Sequence, residues 1–505
     1  MPPMTFAQRV LSRASGTNAC TGDIVNAKVD LAMSHENSAL VLRSFREIGA
    51  KRIWDPRKVV LLFDHRIPAN TIKTAEGHKE VRAFARSEQL PNFYDLGEGV
   101  CHQVLPEKGR VLPEMLVVGT DSHTTTYGAL GAFATGIGAT EMAGVWATGE
   151  IWLKVPETMR IHLRGKLPAH VWSKDVILHI IGSLGSDGAD YKCVEFVGDA
   201  VSRMSIASRM VMSNMSIEMG AKAGICYPDR KTQDWLSTRT DHKWEVDLSY
   251  QTAEADEELE MDVEELEPQV ACPHTVDNVV PVGKVEGIKI DQAVVGSCTN
   301  GRLEDLAAAE GVLRGSKVSK DVRLIVVPAS REIYIEASEK GMLSSLARSG
   351  AVIVNPGCGP CLGGHQGILA AGERCISTTN RNFRGRMRPC SWVRSMSCRL
   401  RMSSGRKSLL KSQFSRVSSC CAYTLLWGSI VRKIFCLSKR SLIWSKSDIS
   451  VLFKAPIWSC SSATSFLMSC VCFSSSASNC FIQSSLSLLA FGAILSLPRV
   501  ICDLT

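Results

Sequence analysis

Short apolar runs that break into glycine or polar side chains recur along the first 360 residues of the chain. KVVLLFDHR (58–66), MLVVGTDSHTT (115–125), AVVGSCTN (293–300), RLIVVPAS (323–330) and AVIVNPGCG (351–359) share this form. Each reads as a buried strand that delivers polar residues at its C-terminal edge, where open α/β sheets place their sites. Amphipathic stretches lie between them. Thr5 as N-cap, Phe6, Val10 and Leu11 on one face and Gly16 past the end predict a first helix. Residues 23–50 predict a short strand and then a helix closed near Gly49. This alternation predicts α/β domains with parallel sheets. The glycine-rich run 128–143 holds no full GxGxxG opening a helix after a strand, so its small residues indicate close helix packing rather than a nucleotide site. Domain changes are expected near 155–157 and across 251–285, dividing the chain into 1–157, 158–284, 285–387 and a tail, 388–505. The nine acids between Glu254 and Glu267 read as a solvated connector.

At 505 residues the chain is long enough for several domains and a large core. Its formal charge of +8 is misleading. The tail carries 15 Lys/Arg against two acids, and the body 43 against 48. A mildly acidic body gives no reason to expect nucleic acid as a partner. Cysteine divides in the same way, nine in the body and ten in the tail, with no disulfide framework. That usage suits a reduced compartment, and the opening residues lack the apolar stretch of a signal peptide, so a cytoplasmic protein is expected.

Three body cysteines sit in distinctive settings. Cys358 and Cys361 form a Cys-x-x-Cys pair on a Gly/Pro-rich turn, and Cys298 lies in GSCTN. Alone, such a pair fits half a zinc site, a redox dithiol or coincidence equally well. A third cysteine shifts the choice towards a metal with one position open, the layout for catalysis. All eleven histidines precede residue 388, and three stand in polar settings: Asp64-His65, Cys101-His102-Gln103 and Asp121-Ser122-His123. Imidazoles backed by carboxylates move protons. Taken singly, a DSH triplet is more often a turn or N-cap, and CHQ at a strand end plain packing. The remaining eight histidines, His35 among them, read as surface or satisfied groups.

VVGSCTNGR, NPGCGPCLGGHQG and NRNFRGR, in this order, resemble the aconitase superfamily, and within it the large subunits of 3-isopropylmalate dehydratase and of archaeal-type homoaconitase. The resemblance covers residues 5–387. It implies a three-domain α/β fold around a [4Fe-4S] cluster held by Cys298, Cys358 and Cys361. The iron without a protein ligand would take the hydroxyl and carboxylate of a small hydroxy-carboxylic acid. The implied activity is a hydro-lyase that isomerises 2-isopropylmalate and 3-isopropylmalate in leucine biosynthesis, with homocitrate as the alternative substrate. Carried over residue by residue, His65 with Asp64 handles the leaving hydroxyl. His102 pairs with Asp121, and Glu195 partners His123. Ser122, Asn380, Arg381 and Arg386 lie near cluster and substrate. The swivelling domain that brings a base serine and a further arginine has no counterpart here, so a separate small subunit is expected, and the chain alone should be inactive. An iron-responsive RNA-binding relative would need that domain and a basic cleft.

After Met387 the text changes character. Serine makes up about a quarter of residues 388–505, glutamate and histidine are absent, and turn punctuation is poor. Because the change falls inside a motif rather than at a linker, the expectation is a frameshift near codon 387 and an out-of-frame and disordered tail, with a non-functional product as an alternative reading of the chain. The apolar stretch 466–495 is too interrupted by serines for a membrane span.

Overall fold

The computed structural model describes residues 3–244 and 250–387 with their side chains, and the backbone of 249 and 392–396. The expectation for the tail otherwise lies outside the described residues.

The first layer is built from α1 (Phe6–Ser15), β1 (Ile24–Lys28), β2 (Leu31–Ser34), α2 (Ser38–Glu47), β3 (Val59–Leu62), α3 (Ile72–Ser87), β4 (Phe93–Tyr94), α4 (Cys101–Glu107), β5 (Leu116–Gly119), β6 (Phe133–Gly136), α5 (Ala139–Thr148) and β7 (Glu150–Lys154). Thr5 and Gln8 form the capping box that starts α1, and Gly16 ends it in the left-handed conformation at φ 72°. Phe6, Val10 and Leu11 of α1 are fully buried, worth about 1.5–3 kcal/mol each in removed apolar surface. Five strands form a parallel sheet in the order β4-β3-β2-β5-β6. β2, β3 and β5 are buried at every position, as the apolar runs predict. The glycine-rich run 128–143 spans the end of a 3-10 segment (Ser122–Leu130), β6 and the start of α5, and Gly128 lies so close to Gly224 that a Cβ would stand 1.9 Å from its carbonyl.

A second sheet follows from β8 (Thr158–Arg164), α6 (Ser173–Leu184), β9 (Cys193–Val197), α7 (Asp199–Arg203), α8 (Ile206–Met215), β10 (Ala223–Cys226), α9 (Arg230–Ser237) and β11 (Glu257–Asp262). Its order is β10-β9-β8-β11, all parallel. β11 corrects the reading of 251–285 as a solvated connector. EELEMD pairs with β8 residue for residue, alternating exposed and partly buried positions. An edge strand can carry charge on its outward side, so acidity concealed the period of two.

The third sheet comprises β12 (Gln269–Ala271), β13 (Val279–Pro281), β14 (Gln292–Gly296), β15 (Arg323–Val327), β16 (Ala351–Ile353), β17 (Arg374–Ser377) and β18 (Trp392–Met396). It is flanked by α10 (Ser297–Asn300), α11 (Leu303–Leu313), α12 (Arg331–Glu339) and α13 (Met342–Arg348). The order is β13-β12-β18-β17-β14-β15-β16. The β12–β13 hairpin belongs to this sheet, joined to it through β18. The sheet also continues past Met387: β18 pairs parallel with β17 and antiparallel with β12. Ladder hydrogen bonds come from the backbone, so the slot can be filled by text that lacks the expected composition.

Candidate active site

The polar residues that end β2, β3, β5, β14, β16 and β17 meet in one region. Two tight approaches bring the cysteines there. Gly296 at φ 127° leads into α10, and a Cβ on it would lie 2.0 Å from the Val327 carbonyl. Only glycine lets β14 turn this close to β15, and Cys298 follows at the start of α10. Gly357 presses on the loop after β3, where a Cβ would lie 2.7 Å from the Asp64 carbonyl oxygen. The Cys358 N–H then donates to that same oxygen at 2.8 Å.

Cys298, Cys358 and Cys361 are all buried and none is in a disulfide. Cys358 and Cys361 hydrogen-bond to each other. Asn380 joins the third, donating Nδ2 to Cys298 Sγ at 3.4 Å while its Oδ1 lies 3.5 Å from Cys361 Sγ. Asn214 of α8 donates to Cys298 Sγ at 3.5 Å, and Arg386 donates to Cys361 Sγ at 3.4 Å. Burial, together with the charge of Cys361, pushes the Cys298 thiol up to about 11. Cys361 is held well below the usual thiol range by its bond with Cys358 and by the Arg386 guanidinium. Three convergent sulfurs surrounded by amide and guanidinium donors suit a soft, thiolate-ligated metal group whose excess negative charge those donors would share.

Beside the sulfurs stand three linked carboxylate–imidazole contacts. His65 Nδ1 lies 2.5 Å from Asp64 Oδ1, and its Nε2 lies 3.2 Å from Asp121 Oδ2. Asp64 Oδ2 accepts from the Cys101 N–H at 2.8 Å. Burial opposes charge on His65, but Asp64, the Cys358 sulfur and Asp121 outweigh it and hold its pKa well above the usual value. His102 Nε2 meets Asp121 Oδ1 at 2.9 Å. Burial alone would raise the Asp121 pKa, yet His102, His123 and His65 together hold it well below the usual range. Asp121 also caps the 3-10 segment Ser122–Leu130, accepting from the His123 N–H at 2.7 Å. Asp121 is therefore a cap, as the bland reading of DSH expects, and also a contact of His65 and His102.

The partner of His123 is Glu218, not Glu195. His123 Nε2 lies 2.8 Å from Glu218 Oε1, which also accepts from Arg381 Nε at 2.7 Å. Arg381 reaches on to Ser122 Oγ at 3.0 Å. Glu195 is fully buried elsewhere, accepting from Arg160 at 3.0 and 3.2 Å, from the Phe6 N–H at 3.0 Å and from the Tyr227 hydroxyl. It lies inside β9 rather than at a strand end, so its carboxylate cannot join the others.

Other residues were missed from sequence. Glu36 accepts the His65 and Arg66 N–H groups at 2.6 and 2.7 Å, and His35 stacks on His65 with ring centroids 4.2 Å apart. Both follow β2, so the strand-end rule that found Asp64 applied equally to LAMSHEN. Asn214 lies at the end of α8 and Glu218 in the 3-10 turn that follows it, Ser216–Met219. Lys174 lies in the first turn of α6 and is fully buried.

An α/β scaffold that gathers three thiols and a histidine–carboxylate array at its strand ends has the layout of an enzyme site. The chain belongs to the aconitase family (aconitate hydratase), whose sequence pattern matches residues 9–286 and 283–398. It is 54% identical over 385 residues to the probable 3-isopropylmalate dehydratase large subunit of Methanothermobacter thermautotrophicus, spanning 76% of this chain and 92% of that protein. It is 53% identical over 384 residues to 3-isopropylmalate dehydratase large subunit 1 of Methanopyrus kandleri, with the same coverage. A probable methanogen homoaconitase large subunit of M. thermautotrophicus is 53% identical over 393 residues, covering 77% and 92%. The chain is thus a dehydratase-type hydro-lyase of this family. Membership implies an iron–sulfur cluster, and the relatives' designation as large subunits implies a small-subunit partner. Among the described residues no helix is long and apolar enough to cross a membrane.

Proposed function

We propose that this chain is the large, cluster-bearing subunit of a cytoplasmic 3-isopropylmalate dehydratase, active with a small subunit and interconverting 2- and 3-isopropylmalate. The observation that carries the reading is the convergence of Cys298, Cys358 and Cys361 beside the Asp64–His65 and Asp121–His102 pairs. The three cysteines would hold a [4Fe-4S] cluster, which when bound supplies a Lewis-acidic iron to polarise a carbon–oxygen bond. The protein's own groups then manage protons and carboxylates. Asp64 fixes the His65 ring, leaving Nε2 beside Asp121 to hand a proton to the departing hydroxyl oxygen and take it back on rehydration. Asp121, with His102 behind it, keeps the negative charge that holds that proton ready. Arg381 and Arg386 grip substrate carboxylates, an arginine fork being suited to two parallel bonds, and Glu218 and Ser122 aim Arg381. The partner subunit brings the group that takes the proton on carbon.

Anaerobic iron–sulfide reconstitution tests the ligand set. Wild type and C193S should turn brown, and C358S should stay colourless; if the two variants behave alike, the assignment fails. A second reading, a homoaconitase large subunit, rests on the near-equal identity to the homoaconitase relative. Comparing kcat/KM for isopropylmalate and homocitrate, with the small subunit added, decides between them.

A further inference from the structure

Lys174 is the only buried lysine among the described residues, with no exposed surface. An ammonium taken out of water costs several kcal/mol unless something compensates it. The ordinary compensation is a carboxylate in contact, and among the described residues none forms an ion pair with it. Lys174 Nζ instead donates to the backbone carbonyls of Thr379 at 2.9 Å and Thr378 at 3.4 Å. Those peptides run directly into Asn380, which touches Cys298 and Cys361, and Arg381, which binds Glu218. Burial lowers the Lys174 pKa to about 8, and the charges opposing that fall are first those of Cys298 and Cys361, then of Glu218 and Asp175. Carbonyl dipoles relieve part of the cost of a buried cation but carry no net charge. The compensation that remains is charge at longer range, from the cysteine site first and from Glu218 and Asp175 after it.

We propose that the Lys174 ammonium is a built-in counter-charge to the cysteine-held cluster, presented by the first turn of α6 to raise the cluster's reduction potential and retain its iron. This rests on reading Cys298, Cys358 and Cys361 as cluster ligands. A fixed positive charge stabilises the more negative, reduced state, so the potential falls when the charge is removed. Lys174 is a positioning residue and touches no substrate.

K174Q removes the charge and keeps an N–H donor for the two carbonyls; K174M removes both; K174R keeps the charge. Each variant and wild type is reconstituted with iron and sulfide, and its potential is measured by titration with spectroscopic detection. Iron loss in air is followed in parallel, and the apoproteins are melted. The proposal expects a downward shift in potential and severalfold faster iron loss in K174Q and K174M, with K174R close to wild type. It also expects the K174Q apoprotein to melt at or above the wild-type temperature, because a buried charge is removed while a donor to the two carbonyls is kept. A wild-type potential in K174Q, or destabilised apoproteins with no change in potential, overturns it. If wild type itself takes up no cluster, the functional reading above fails and this inference fails with it, a result plainly different from an unshifted variant.

Discussion

Glu218 and Glu195 are both buried carboxylates, and their substitution separates catalytic support from framework. E218Q should lower kcat/KM about 10- to 100-fold, because the His123 ring and the Arg381 fork both lose the charge that orients them. Glu195→Ala should leave the rate of the folded enzyme intact but cost about 1–3 kcal/mol in urea unfolding, since the buried Phe6 N–H and Tyr227 hydroxyl lose their acceptor while Arg160 keeps Glu258. The reverse pattern would restore Glu195 to the site. Glu218 also has a pH signature. Burial raises its pKa, but the His123 bond and the Arg381 charge pull it below the ordinary 4.5. A depressed carboxylate adds stability above its unfolded value, and that stability is lost as pH falls through the folded value. Apoprotein unfolding should therefore steepen with acid below about pH 4.5 in wild type and be flatter in E218Q.

At the scale of elements, the β14–α10 turn is the most constrained connection in the site. G296A would place a methyl group against the Val327 carbonyl at a φ that side chains avoid. The expected result is a loss of about 1–3 kcal/mol in thermal or urea melts, with little brown colour after reconstitution, as Cys298 is pushed off its position. Retention of full colour would show that the turn does not set Cys298. Asn382 fastens the same region from the other side, donating to the carbonyls of Ala271, Cys272 and Thr275. These bonds explain why β12 belongs to the third sheet, although its sequence lies among the acids and prolines that suggested a boundary.

For the whole molecule, the isolated chain should bind a cluster yet show no isomerase activity until the small subunit is added. Activity of the chain alone would remove the need for that partner. The tail makes a separate prediction. Sequencing the gene across codons 375–400 should reveal another frame that resumes a glycine-, alanine- and glutamate-containing segment after Met387. If no frame does so, the frameshift reading falls. The position of β18 beyond Met387 and a family match reaching residue 398 place the last native-like element later than composition alone suggested.

Sequence by itself pointed to the strand-then-site rhythm, the three cysteines and the Asp64, His102 and Asp121 positions, because an apolar run and a motif are local properties. Sequence could not assign Glu218 to His123, bury Lys174 or place β12 in the third sheet. Those facts depend on which distant segments share a wall, and Glu195 shows the limit clearly. A carboxylate's role follows from what the fold sets beside it, and its local text fixes only that it is there.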